Sequence, residues 1–361
     1  MSEYLSAILP APYLAVATAA AILGLIFGIL AEKSSLCLLG GLREKRQAND
    51  PRRLAAYTIA ILTALGFTQA MVAAGLIDLS SSVYLATASA LPAVAVGGLL
   101  FGFGAVLTRG CAGRLTVLAA TGNLRAAIVV LVMGLAAYAT MRGVLAPLRL
   151  PLEALAKPAT AYSDLAAGLG PYARFAMACA SLTGAIALLR FSGSNSGLPA
   201  AGIGLIIALG WAASATLGND GFDALQPWSA AFVAPAGNTI QYVLTFTGSK
   251  INFGIAFFGG VLAGACASAL IGGRAKLQSF ESPHQTLRYI AGAMLMGFGG
   301  VLALGCTTGQ GMAGISTLAP ASFVALAAIG TGMWAGLVWD ARNISSTNPF
   351  HPAQVSNAAT G

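Results

Sequence analysis

Charged residues are scarce. Asp, Glu, Lys and Arg make up 8% of the 361 residues, against about a quarter in soluble domains, which excludes an ordinary water-soluble globular protein. Histidine is nearly missing: His284 and His351 both sit in polar surroundings and read as solvated side chains, so no histidine-based catalytic or metal site is expected. The five cysteines, at 37, 111, 179, 266 and 306, contain no CxxC pair, and neither a disulfide framework nor a thiolate metal cluster is readable from them. Carboxylates are absent from the middle of the apolar runs. All eleven acidic residues, including Glu32, Asp78 and Asp340, fall at or beyond the run ends, which argues against a proton relay of intramembrane acids. Finally, the start Met1-Ser2-Glu3-Tyr4 has no Lys or Arg before the first apolar run. The positive beginning of a signal peptide is therefore missing, and that run is expected to stay as the first span.

What is abundant sets the class. Hydrophobic residues at 57% and 45 glycines describe an all-α, polytopic membrane protein. About nine transmembrane helices are expected near 13–31, 54–77, 91–108, 124–146, 172–190, 199–217, 251–271, 287–304 and 321–339. They form one transmembrane domain over 1–340, with a first repeat about 10–150, a second about 172–340 and a disordered tail at 341–361. The net charge of +8 orients spans and does not signal nucleic acid, because the basic residues lie in short loops. The densest group, Arg43, Lys45, Arg46, Arg52 and Arg53, places that loop in the cytoplasm and the N-terminus in the periplasm. Arg190, Arg274, Lys276 and Arg288 then fall inside; Arg142, Arg149 and Lys157 fall outside, against the rule. The Pro- and Leu-rich stretch 148–171 reads as an external connector, and Trp211, Trp228, Trp334 and Trp339 as interface or packing aromatics.

The most informative feature is a repeat. Gly102 to Cys111 and, 195 positions on, Gly297 to Cys306 both read GFGxVLxxGC. Counting spans between them makes the two copies antiparallel, the arrangement in which transporters place a substrate path near the midplane at the repeat interface. Gly102, Gly104, Gly297, Gly299 and Gly300 permit close helix approach, and Gly110 and Gly305 permit a chain reversal beside each cysteine. After each copy comes a small polar turn, Ala112-Gly113-Arg114 or Thr307-Thr308-Gly309-Gln310-Gly311, whose backbone N–H groups at a helix start attract anions. Four stretches too polar for lipid, 32–41, 109–123, 227–250 and 306–320, suit short re-entrant helices.

A third cysteine, Cys37, follows the first span in Ser35-Leu36-Cys37-Leu38-Leu39-Gly40-Gly41-Leu42-Arg43-Glu44. Cys37, Cys111 and Cys306 share Gly-flanked breaks, whereas Cys179 and Cys266 lie in ordinary spans and read as small hydrophobes. The Cys37 block, the GFGxVLxxGC block and the block from Met296 through Gly311 to Leu318 together resemble the YeeE/YedE sulfur-transport family. The third block is the most specific, and the blocks span almost the whole chain. The resemblance implies thiosulfate uptake across the bacterial inner membrane along a path lined by thiols at positions 37, 111 and 306. It also implies a cytoplasmic sulfurtransferase-type partner. One departure is visible: Ala-Gly-Arg after Cys111 lacks the Cys-x-x-Gly spacing found after Cys306.

Elementary energetics fits such a path. A dianion entering a dry medium faces an idealised cost of order 20 kcal/mol per charge, so donors or water must line its route. Helix N-termini, S–H groups and the side chains of Arg109 and Arg114 are the candidates. Thiols are weak donors, and weak successive sites suit conduction; low polarity and a neighbouring dianion both favour neutral S–H over thiolate. Inward movement of two negative charges against an inside-negative potential costs roughly 4.6 kcal/mol per 100 mV, so rapid consumption inside or accompanying protons must offset it. No enzyme activity, cofactor or metal is expected. Two alternatives stay open: carriage of another sulfur or selenium species, in either direction, and a membrane thiol oxidoreductase, which would want a reactive close pair of cysteines.

Overall fold

The computed structural model describes residues 11–86, 91–154, 164–166, 170–192, 194–218, 226–275, 277–278 and 283–347. Among these it is helical with no strands. Eight helical segments are long and apolar enough to cross a membrane. In chain order the helices are α1 (Ala11–Ser34), α2 (Leu38–Gln47), α3 (Arg52–Ala73), α4 (Val83–Ala86), α5 (Leu91–Leu107), α6 (Ala112–Ala120) and α7 (Leu124–Arg142). They continue with α8 (Ala146–Ala154), α9 (Pro171–Ser192), α10 (Ser194–Leu217), α11 (Val233–Leu244), α12 (Phe253–Ile271), α13 (Pro283–Leu302) and α14 (Pro320–Thr347). A π-helical turn, π1, covers Gly309–Gly314. Helix α13, twenty residues long, carries Gln285 and Arg288 in its first half and is not one of the eight; it packs between α5 and α7.

All four polar stretches form short helical pieces beside breaks: α2 after Ser35, α6 after Gly110, α11 after Phe232 and π1 after Cys306. Each is too short to span a bilayer, at about 1.5 Å per residue. In the lipid-facing shell such breaks would leave backbone groups unsatisfied, and here they lie in the protein interior. Leu38, Leu39, Ala112 and Gln310 are all buried.

The packing is two-fold in pattern. Exchanging α1 with α10, α2 with α11, α3 with α12, α5 with α13, α6 with π1 and α7 with α14 maps most helix contacts onto one another: α1 on α12 becomes α10 on α3, and α5 on α14 becomes α13 on α7. Similarly, α6 on α12 becomes π1 on α3. At the centre α5 crosses α13. A Cβ on Gly104 would lie 2.6 Å from the Gly292 carbonyl, and one on Gly299 2.6 Å from the Gly97 carbonyl. Gly97 and Gly292, like Gly104 and Gly299, are 195 positions apart. As residue numbers rise along α5 they fall along α13, so the two copies of the decapeptide run antiparallel. Neither site has room for a methyl group, because the atoms it would strike are backbone. Helices α8 and α9 have no counterpart in this exchange; α9 adds to the outside of α3 and α10.

Helix α14 runs on to Thr347, past the boundary expected at residue 340. Asp340 accepts from the Arg288 guanidinium at 2.7 Å, and that guanidinium also stacks on Trp339, which ties the C-terminal part of α14 to α13. Residues 348–361 lie outside the described residues. The connector 148–171 begins as helix, α8, with Pro151 inside it; 155–163 and 167–169 lie outside the described residues.

Candidate functional site

Three of the four breaks deliver a cysteine to the interior. Cys37 is the N-cap of α2, and Cys111 the N-cap of α6; both have extended backbone, with φ −159°, ψ 127° and φ −81°, ψ 164°. A sharp reversal precedes each. Ser35 has φ 51° and Arg109 φ 58°, so the chain turns through the left-handed region before the helix starts. Leu304, the repeat equivalent of Arg109, has φ 56°, which shows the same reversal built twice from different side chains. The Cys306 sulfur then accepts the Gly309 N–H at 3.4 Å. The fourth equivalent position, 195 after Cys37, is Phe232, the N-cap of α11. Four short helical starts therefore meet, three with thiols and one with an aromatic ring.

The thiols of Cys37 and Cys111, 74 residues apart, are in contact, with Sγ to Sγ 3.4 Å. Cys37 is 7%, Cys111 4% and Cys306 0% exposed. Cys37, Cys111, Arg114, Tyr57, Thr307 and Thr308 line a chamber of about 20 Å³, which holds about one water molecule. Tyr57 fixes one wall: its hydroxyl donates to the Thr307 carbonyl at 2.7 Å, and a Cβ at Gly311 would strike that hydroxyl. A cavity of about 170 Å³ is bounded by Tyr84, Arg149, Trp211, Trp228 and Gly305. A separate vestibule of about 500 Å³ holds Glu32, Lys33, Arg114, Asn123, Arg274 and Gln278. Gly305, next to Cys306, lines the first cavity, and Arg114 lines both the chamber and the vestibule. The positive ends of the α2 and α6 dipoles face the chamber.

The sequence-predicted residues divide by role. Cys37, Cys111, Arg114, Thr307 and Thr308 line the chamber, and Cys306 is packed beside it with Gly309 supplying its N–H donor. Gly104 and Gly299 lie at the α5–α13 crossing. Gly102 faces Ile329 and Met333 of α14, and Gly297 faces Met133 and Ala137 of α7, positions equivalent under the exchange. Gly110 touches Leu115, and Gly305 lies against Gln310. The Gln310 amide donates to the Ala303 carbonyl at 2.6 Å and so braces the turn after α13. Gly300 packs on Val233. Arg109 is exposed, Cys179 is exposed on α9 and Cys266 half-buried on α12. Trp211 is buried and donates to the Ser316 hydroxyl at 3.0 Å; Trp334 and Trp339 are exposed and carry the guanidinium groups of Arg46 and Arg288.

Sequence reasoning missed Tyr57, Tyr84, Phe232 and the pairing of Glu32. A polar-tipped aromatic inside an apolar span was the available signal for Tyr57, since its buried hydroxyl must find an acceptor. Phe232 was findable by applying the interval of 195 to Cys37. The Glu32 carboxylate accepts from Arg274 at 2.7 and 2.8 Å and from the Ser268 hydroxyl at 3.0 Å, and nothing local in the sequence marks that partner.

Comparison with known proteins follows this geometry. The family model described as Sulphur transport matches residues 33–335, a range that includes all three chamber-side cysteines and every break. A curated relative, the thiosulfate transporter TsuA of Escherichia coli (strain K12), is 26% identical over 157 residues, 44% of this chain. The match spans 41% of that relative's length.

Proposed function

The chain belongs to the sulphur transport family, and on that premise we propose that it takes up thiosulfate through the path formed by Cys37, Cys111 and Cys306. The carrying observation is that the buried Cys37 and Cys111 line one small chamber at two helix starts, with Arg114 shared between that chamber and the vestibule and the buried Cys306 adjoining Gly305 of the other cavity. The thiols act as weak, neutral hydrogen-bond donors passed in sequence, Cys306 first and the Cys37–Cys111 pair next. A chamber of about 20 Å³ is too small for the anion beside its lining, so passage requires the short helices to part. The two-fold helix packing supports an inverted repeat as the moving framework. We place the protein in the bacterial inner membrane with the N-terminus periplasmic, the vestibule of Arg114 and Arg274 cytoplasmic, and a sulfurtransferase-type protein receiving the product. It acts as a transporter and not as an enzyme. Uptake of radiolabelled thiosulfate by vesicles carrying only this protein, with sulfate, sulfite and selenite as competitors, tests the reading. Absence of uptake, or equal competition by sulfate, overturns it.

A thiol oxidoreductase is the second reading, and the Cys37–Cys111 contact alone favours it. It requires that pair to be trapped as a disulfide in the isolated protein. Finding five free thiols per chain in air-handled material would reject it.

A further inference from the structure

The vestibule holds more positive charge than its ion pairs use. Among the described residues, three cations, Lys33, Arg114 and Arg274, face it together with one carboxylate, Glu32. Arg274 grips Glu32 with two of its N–H groups, and the Glu32 side chain is 8% exposed while that of Arg274 is 52% exposed. Arg114, partly buried on the first turn of α6, has no hydrogen-bonded carboxylate or carbonyl among the described residues, although Glu32 is close enough to act on its charge. Its side chain alone carries charge to both the chamber and the vestibule. A half-covered guanidinium without a hydrogen-bonded acceptor is costly unless water or an anion serves it. The rim is rigid: Leu124 N–H bonds the Gln278 carbonyl at 2.9 Å, Gln278 N–H bonds the Gly122 carbonyl at 3.2 Å, and the Asn123 amide reaches the Gln278 side chain at 2.7 Å.

We propose that this vestibule is a dianion-binding site, of net charge +2 among the described residues, in which Arg114 receives the anion from the constriction and Glu32 keeps Arg274 partly occupied. A doubly charged oxyanion matches that net charge, whereas a monoanion leaves one positive charge uncompensated. Glu32 sets the depth of the site. Without it the charge would be +3 and the anion would be held too long for conduction, which needs sites that both fill and empty. The direction of travel rests on the uptake reading; the site itself rests on the cavity and its charges.

The test uses the full chain in lipid nanodiscs, with Cys179→Ala and Cys266→Ala and a reporter thiol at Thr121→Cys on the vestibule wall. Rates of modification by an anionic and a cationic methanethiosulfonate are measured at the reporter by peptide mass spectrometry. Sulfate serves as the unreactive dianion and chloride as the monoanion at equal ionic strength. Coulomb's law in water at a separation of roughly 7 Å gives about a fivefold change in the anionic-to-cationic rate ratio per unit charge at low salt. The ratio should exceed that of a free small thiol by more than tenfold. Arg114→Gln should lower it about fivefold and Glu32→Gln should raise it, so that one variant remains informative if the other does not fold. Sulfate should protect the reporter more than chloride does, and Arg114→Gln should remove that difference. A ratio equal to the free thiol's, a ratio indifferent to both variants, or equal protection by the two salts overturns the proposal. Failed thiosulfate uptake with the ratio and the sulfate protection intact would reject the substrate reading and leave the anion site standing.

Discussion

Replacing Cys111 separates the donor model from its rivals. The thiol is buried, touches Cys37 at 3.4 Å and faces a chamber of about 20 Å³. Truncation to Ala removes one sulfur from a packed wall and should cost stability by about 1–2 kcal/mol, at the low end of core truncations. The effect on transport should be larger in proportion. A hydrogen bond to a charged group contributes about 1.5–3 kcal/mol, so its loss in the constriction slows passage about 10- to 100-fold. Serine keeps a donor at nearly the same place and should retain a rate well above that of Ala. Initial rates of radiolabelled thiosulfate uptake in vesicles, normalised to folded protein and paired with thermal unfolding, measure both quantities. The same comparison at Cys37 and Cys306 completes the series, with Cys179→Ala, exposed on α9, as the unaffected control. Full uptake by Cys111→Ala would refute a conduction role for this thiol. Equal and complete loss for Ser and Ala at all three positions, with a persulfide that forms and turns over on substrate addition, would replace donation by covalent transfer.

Three further outcomes are expected. Tyr57→Phe removes the donor to the Thr307 carbonyl, a buried acceptor whose loss of partner costs about 1–3 kcal/mol; a lowered melting temperature together with slower uptake checks it, and no change in either contradicts the role given to this wall. Gly104→Ala and Gly299→Ala press on backbone at two-fold-equivalent points of the α5–α13 crossing and should each destabilise by about 1–3 kcal/mol. Markedly unequal thermal shifts would break the equivalence. Reporter cysteines at Ser81 and Leu277, both exposed, should react with impermeant reagents from the periplasmic and cytoplasmic sides respectively in a background with native thiols masked, and labelling of both from one side would overturn the proposed orientation.

Several features follow from the sequence by itself because they depend on local composition. Hydropathy over some twenty residues decides which stretches cross the bilayer, and polar, Gly-rich stretches too costly for lipid mark where helices break; α2, α6, α11 and π1 form at the four stretches so identified. The GFGxVLxxGC repeat, with its interval of 195, likewise identifies the Gly pairs that let α5 and α13 cross closely. What the tertiary structure decided is which of these pieces meet. The absence of a CxxC motif gave no sign that Cys37 and Cys111 would touch, because their contact is made by two helix starts 74 residues apart. Glu32 finds Arg274, 242 positions on, and Tyr57 finds Thr307, 250 positions on, through packing between halves that no local pattern encodes. The limits of the constriction depend on the same long-range packing: a chamber with room for about one water molecule arises only where helix starts from both halves are pressed together, and its size is a property of their separation and not of any single segment.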